Sequence, residues 1–232
     1  MKDLHEGWVC SSLVEFDEFR QRDEELFASY IDEWSRRADL DGWLDWSTYL
    51  LGMDQSLTKA RDRELKELRV WIFSRVWPKR YPDLEASLEN FRRVVEDFHL
   101  TFKRHVVEQG GELRTEKFHK SQGWLLPLEF RKLEAEWEFH VYFLQVLILE
   151  LTRAANLVCD KVRQFIDPTF RLREGIIMVQ SGLSGDFSYH FHRPEYRNSE
   201  RGLYPYEGLH DFKKTRFTRD EYFGDKESEY DM

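Results

Sequence analysis

The stretch EWEFHVYFLQVLILELTRAANLVCDKVRQFID, residues 136–167, decides the fold of this chain. Its first half is apolar on nearly every side, which a helix tolerates only where protein surrounds it. Its second half carries a narrow polar strip on an otherwise apolar surface. At about 100° per residue, the members of this strip fall within about a third of the helix circumference: Gln145, Thr152, Arg153, Asn156, Asp160 and Arg163. We therefore predict a long buried central helix over about residues 128–166.

Helical patterns also precede this stretch, and together they predict a mainly α bundle of about five helices. The clearest covers about residues 83–109, where apolar side chains recur every three or four positions and Gly110-Gly111 ends the pattern. Another helix is expected over about residues 56–76. Residues 112–124 carry no such period, and we predict a loop there that crosses to Pro127.

The period changes beyond Pro168. Residues 175–192 combine β-branched and alternating residues around a Gly/Ser turn, which predicts a β-hairpin. Residues 193–232 hold aromatic residues spread among charges and few aliphatic ones, so they cannot build a core of their own. We predict a helical domain with its hairpin over residues 1–192, and a C-terminal segment that docks on this body or on a partner. Residues 225–232 are expected to be disordered.

Composition limits the classes of function. Of 232 residues, 16% are aromatic, which favours a sizeable protein interface, with a protein partner or a second copy of the chain. The formal net charge of -9 argues against a whole surface that tracks nucleic acid and leaves only a local basic patch for that role. The N-terminus lacks the apolar region of a signal peptide, and the longest apolar run is too short for a bilayer. We expect a cytoplasmic protein without a membrane segment.

The polar strip of the central helix has two interpretations, because buried charges must be paired. It can be a structural network whose members satisfy one another. It can instead combine with two arginines beyond Pro168 into a cationic pocket for a phosphate or a nucleotide. The ligand-binding residues would then be Arg153, Asn156, Asp160, Arg163, Arg171 and Arg173. Because no Gly-rich phosphate loop is present, we favour the structural network.

A second candidate is catalytic. Arg92, or Arg93, precedes His99 by six or seven positions on the predicted helix over residues 83–109, and Arg114 precedes His119 by five. This pattern resembles the Arg-x4–6-His motif of the HEPN family of helical ribonucleases. The resemblance covers under a tenth of the chain. It implies metal-independent cleavage of RNA by Arg92 and His99, usually across a dimer.

A third candidate is a metal site. His190 and His192 alternate on a predicted strand and would present two imidazoles to one side. Glu195, His210 and Asp211 are available as a third ligand, but none has a diagnostic spacing. We therefore predict no tightly bound metal and no cofactor.

Two functions from different classes follow from these patterns. The leading one is a non-enzymatic protein-interaction or scaffold subunit of a larger assembly. The alternative is a HEPN-like metal-independent ribonuclease or nucleotide-responsive effector. The two functions predict different arrangements of Arg92 and His99. The ribonuclease requires the two side chains to converge in a cleft, whereas the scaffold subunit does not.

Overall fold

The protein is mainly α, as the sequence predicts. The computed structural model describes residues 3–52, 55–121, 123, 126–182 and 188–223, with side chains from residue 20 onward. Within these residues the helices are α1 (Asp3–Ala38), α2 (Trp43–Leu51), α3 (Lys59–Phe73), α4 (Pro82–Arg104), α5 (Phe118–Ser121), α6 (Pro127–Phe165) and α7 (Leu209–Thr215). The strands are β1 (Ser56–Thr58), β2 (Val106–Gln109), β3 (Glu112–Thr115), β4 (Val179–Ser181) and β5 (His190–His192).

Helix α6 is the predicted central helix. It begins at Pro127, whose missing N–H is not needed in the first turn, and the Glu129 carboxylate accepts a hydrogen bond from the Leu126 amide at 3.2 Å. It ends at Phe165, shortly before Pro168, which disfavours helical backbone in the preceding residue. Among the described helices, α6 is the one long and apolar enough to cross a membrane, but 94% of its most apolar window is buried inside the protein. Protein therefore surrounds this window.

The core forms mainly between α6 and α4. The apolar positions predicted for α4 are fully buried, among them Leu88, Phe91, Val95, Phe98 and Phe102. They belong to one cluster with the buried aliphatic residues of α6, against which α4 packs over its length. This confirms the predicted bundle around a buried central helix.

A three-stranded antiparallel sheet, with the order β1-β3-β2, corrects three predictions. Helix α4 ends at Arg104 rather than near Gln109, and the expected loop over residues 112–124 contains β3 and α5. The physical reason is the Gly110-Gly111 pair. Both residues have positive φ, which a tight two-residue hairpin turn requires, so the chain reverses there and pairs β2 with β3. Strand β1 occupies residues 56–58, which the sequence predicts as the start of the helix over residues 56–76, and it pairs with β3.

The C-terminal part of the described chain adds the predicted β-hairpin and a long covering segment. Val179 of β4 faces His192 of β5 in an antiparallel pair, while residues 183–187 between them lie outside the described residues. Beyond β5 the segment over residues 193–223 packs on the helical body, where Tyr206 and Phe212 are buried. The prediction of disorder over residues 225–232 also lies outside the described residues.

Candidate functional site

A buried carboxylate of α6, Glu150, lies beside the polar strip and pairs with one of its members, Arg153. Its side chain has no exposed surface. It accepts hydrogen bonds from the Tyr196 hydroxyl at 2.8 Å and from the Arg219 guanidinium at 2.9 and 3.1 Å. Burial and the Glu150 charge together raise the pKa of Tyr196 well above its usual value. Both partners come from the C-terminal segment, which the sequence pattern does not connect with the strip.

Arg153, one turn beyond Glu150, is also fully buried. Its guanidinium donates to the Asp220 carboxylate at 2.6 Å, to the Glu221 carbonyl at 2.7 Å and to Glu150 at 3.4 Å. Carboxylates on two sides therefore neutralise this cation. Protein groups occupy the donors that a phosphate would need.

Asn156 and Asp160 bind two further segments of the chain. The Asn156 side chain bonds the backbone N–H and C=O of Ile177 at 3.0 and 2.9 Å, and the Pro194 carbonyl at 3.0 Å. Asp160 accepts from Arg163 at 2.5 Å and from Arg201 at 2.7 Å. The strip is thus paired largely with groups outside α6 and not mainly within itself. Asp160 retains 27% of its side-chain exposure, so it is not one of the buried charges.

The remaining arginines of the predicted phosphate pocket point to separate partners. Arg163 also donates to the Phe170 carbonyl at 3.2 Å. Arg171 donates to Asp41 at 2.6 Å, in the connection between α1 and α2. Arg173 is exposed. Hence these cations are divided among different carboxylates and carbonyls, and they do not share one anion.

Arg92 and His99 both lie on α4, but each is held by different acidic groups. The Arg92 guanidinium bonds Glu89 at 2.6 Å and Glu96 at 2.7 Å, within its own helix. His99 Nε2 lies 2.9 Å from the Asp62 carboxylate of α3, and the ring is buried. Burial lowers the pKa of His99 although Asp62 opposes this shift. Arg92 is thus paired within α4, whereas His99 is packed against α3.

The two hairpin histidines face different neighbours. His192 lies 3.1 Å from the Glu221 carboxylate through Nδ1 and 3.0 Å from the Ser181 hydroxyl through Nε2. His190 Nε2 lies 3.2 Å from the Ser188 hydroxyl. Across the described part of the chain, no group of three or more His, Cys, Asp or Glu side chains is arranged to hold a metal ion.

A groove that sequence reasoning missed lies beside these histidines. It has a volume of about 700 Å³, within the usual range for binding sites, and we call it the α6 groove. Its walls come from the first half of α6, the end of α2, the β4–β5 hairpin and the end of the C-terminal segment. The lining residues are Leu51, Gly52, Trp137, Glu138, Val141, Tyr142, Gln145, Ser181, Gly182, His190, His192 and Phe223.

Two contacts hold the walls of the α6 groove together. Gln145 donates from Nε2 to the Leu51 carbonyl at 3.2 Å, which joins α6 to α2. The His192 ring meets the Phe223 ring edge-on at 5.4 Å, which joins the hairpin to the C-terminal segment. Tyr142 remains 43% exposed and is an exception to the burial predicted for the first half of the stretch over residues 136–167. The groove therefore offers a mainly apolar surface with a few polar groups.

Comparisons with protein-family models, with curated proteins and with solved structures find no match for this chain. Function is therefore inferred from the residues of this chain alone.

Proposed function

We propose that this protein is a non-enzymatic interaction protein, a subunit of a larger assembly, whose α6 groove receives an apolar segment of a protein partner. The observation that carries this proposal is the half-exposed ring of Tyr142, which lies with Trp137 and Val141 along a groove of about 700 Å³. Large aromatic side chains are enriched at protein interfaces and contribute much of their binding energy.

A polypeptide suits this surface better than a small molecule does. Tyr49 of α2 is 64% exposed and Phe191 of β5 is 61% exposed, and both elements border the α6 groove. Two elements that border the groove therefore also expose large apolar side chains. Exposed apolar surface of this kind is typical of a protein interaction site.

The alternative, a HEPN-like ribonuclease or nucleotide-responsive effector, has weaker support. Arg92 is held by two glutamates, and His99 is buried against Asp62. A catalytic pair would need access to the phosphodiester. Similarly, the Arg153 guanidinium already donates to protein groups where a nucleotide phosphate would need free donors.

The proposal is tested with a photo-crosslinking amino acid placed at Tyr142 in the full-length chain, expressed in its native cells. The matched control carries the same amino acid at Phe73 of α3, which is 75% exposed and lies outside the α6 groove. We expect one specific crosslinked protein from position 142 and not from position 73. A second copy of this chain in that role would identify a homo-oligomer.

Binding of the identified protein is then measured with purified components. Tyr142→Glu should weaken it by about tenfold or more, because a carboxylate would enter an apolar interface, whereas Phe73→Glu should leave it unchanged. Equal crosslinking from both positions, or equal affinity of both variants, would contradict the proposal.

A further inference from the structure

A second cavity, separate from the α6 groove, lies between the C-terminal end of α4 and the first half of α6. Its volume is about 500 Å³, and we call it the α4–α6 cavity. Helix α4 contributes Arg104, the connection between β3 and α5 contributes Glu116, α6 contributes Glu136, and α7 contributes Lys213. Four different parts of the chain thus bring two cations and two carboxylates to one cavity.

These four charged groups are not paired with one another. Among the described residues, none of them lies within 4.0 Å of an opposite charge. The Lys213 ammonium instead lies over the rings of Phe139 and Phe143, at 5.2 and 5.5 Å from their centroids. Arg104, Glu116 and Glu136 are therefore available to a ligand of opposite charge.

The inner wall of the cavity also has unused hydrogen-bonding capacity. Thr101 and His140 line it and are only 2% and 7% exposed. The Thr101 hydroxyl and His140 Nε2 have no hydrogen-bond partner among the described residues. Burial, with the nearby charges of His105 and Arg104, lowers the pKa of His140 to about 4, so the ring is neutral at pH 7. Buried polar atoms normally have hydrogen-bond partners. The two unpartnered atoms therefore leave hydrogen-bonding capacity for a ligand at this wall.

We propose that the α4–α6 cavity binds a free apolar α-amino acid. The carboxylate of this zwitterion would face Arg104 and Lys213, and its ammonium group would face Glu116 and Glu136. Its side chain would lie against the apolar lining residues Phe118 and Leu133. A simple anion or cation would meet like charges in the same cavity, whereas a zwitterion satisfies both signs. This inference is independent of the α6 groove and of any protein partner.

Isothermal titration calorimetry on the full-length protein tests the need for both charges. L-phenylalanine should bind saturably. Phenethylamine lacks the carboxylate and 3-phenylpropionate lacks the ammonium. Each should therefore bind with an affinity at least about tenfold lower than that of L-phenylalanine. The same ring in all three probes keeps the apolar contribution constant.

Two charge variants then locate the groups. Arg104→Gln should weaken L-phenylalanine by about tenfold without weakening phenethylamine. Glu136→Gln should weaken L-phenylalanine without weakening 3-phenylpropionate. Both residues are exposed at the mouth, so neither substitution threatens folding. Arg131→Gln is the control, because Arg131 is an exposed arginine of α6 that does not line the cavity.

Three outcomes would overturn the proposal. The first is no saturable binding of L-phenylalanine or L-leucine up to about 10 mM, a concentration at which even a very weak site is partly filled. The second is equal affinity for L-phenylalanine and both analogues, since an apolar cavity alone would give that result. The third is the same loss of affinity in Arg131→Gln as in Arg104→Gln, which would mean that only the general charge of the protein matters.

Discussion

Replacing Glu150 with alanine tests whether the polar strip of α6 holds the protein together. The substitution removes a fully buried carboxylate that accepts two hydrogen bonds from Arg219 and one from Tyr196. Arg219 is itself only 9% exposed, so the guanidinium would lose its main buried counter-charge. Removing one partner of a buried ion pair costs about 3–5 kcal/mol. We expect Glu150→Ala to lower the free energy of unfolding by that amount.

The matched control is Asp160→Ala, on the same helix. Asp160 also accepts from two arginines, but its side chain is 27% exposed and those of Arg163 and Arg201 are 23% and 32% exposed. Water can replace these contacts, so the expected loss is about 1 kcal/mol or less. For a domain of this length each kcal/mol lowers the melting temperature by about 2–4 °C. Glu150→Ala should therefore melt about 6–20 °C below the wild type, and Asp160→Ala within about 4 °C of it.

Urea denaturation followed by circular dichroism measures both variants on one scale. A conservative variant, Glu150→Gln, keeps the shape and some hydrogen bonds, and it should fall between the wild type and Glu150→Ala. If Glu150→Ala were no less stable than Asp160→Ala, the carboxylate would not be the centre of the network, and the structural explanation of the strip would be wrong.

Three further predictions concern other parts of the chain. Because the pKa of His140 is about 4 in the folded protein and 6.5 for an unperturbed histidine, the unfolded chain binds more protons between these values. Stability should fall as the pH falls through this window, by up to about 3 kcal/mol, and His140→Gln should reduce this loss in denaturation curves at about pH 7 and about pH 4.5. We expect that the purified protein does not cleave RNA through Arg92 and His99. RNA cleavage that is lost in both Arg92→Ala and His99→Ala, with both variants folded, would instead support the ribonuclease alternative. Removing residues 193–232 should cause aggregation or a melting temperature below that of Glu150→Ala, because Tyr206 and Phe212 leave the core; a truncated protein as stable as the wild type would contradict the observed docking.

The sequence predicts the helical framework well because its hydrophobic periods are long. The apolar patterns of α6 and α4 each continue over several helical turns, so local irregularities do not hide them. The small sheet is not evident from the sequence because its strands contain only three or four residues, too few for an alternation to stand out. The Gly110-Gly111 pair is evident, but it also suits the end of a helix. A glycine pair permits both a helix end and a hairpin turn, and pairing with the distant strand β1 decides between them.

The candidate sites are harder to predict because their walls come from distant parts of the chain. The strip of α6 is recognisable as polar, yet its main partners, Arg219 and Asp220, lie more than sixty positions away. Nothing in the local pattern connects them. Likewise, the α4–α6 cavity combines Arg104 with Lys213, and only the docked C-terminal segment brings them to one place.

The buried network and the α6 groove are joined by a short part of the C-terminal segment. The buried Arg153 guanidinium holds the Asp220 carboxylate and the Glu221 carbonyl by hydrogen bonds. The Glu221 carboxylate in turn contacts His192, and the Phe223 ring meets that same imidazole at the groove wall. Because Phe223 follows Glu221 by only two positions, this wall cannot move far while the Arg153 contacts persist. Arg153 therefore positions one side of the groove, and under the proposed function this buried arginine would act on partner binding without touching the partner.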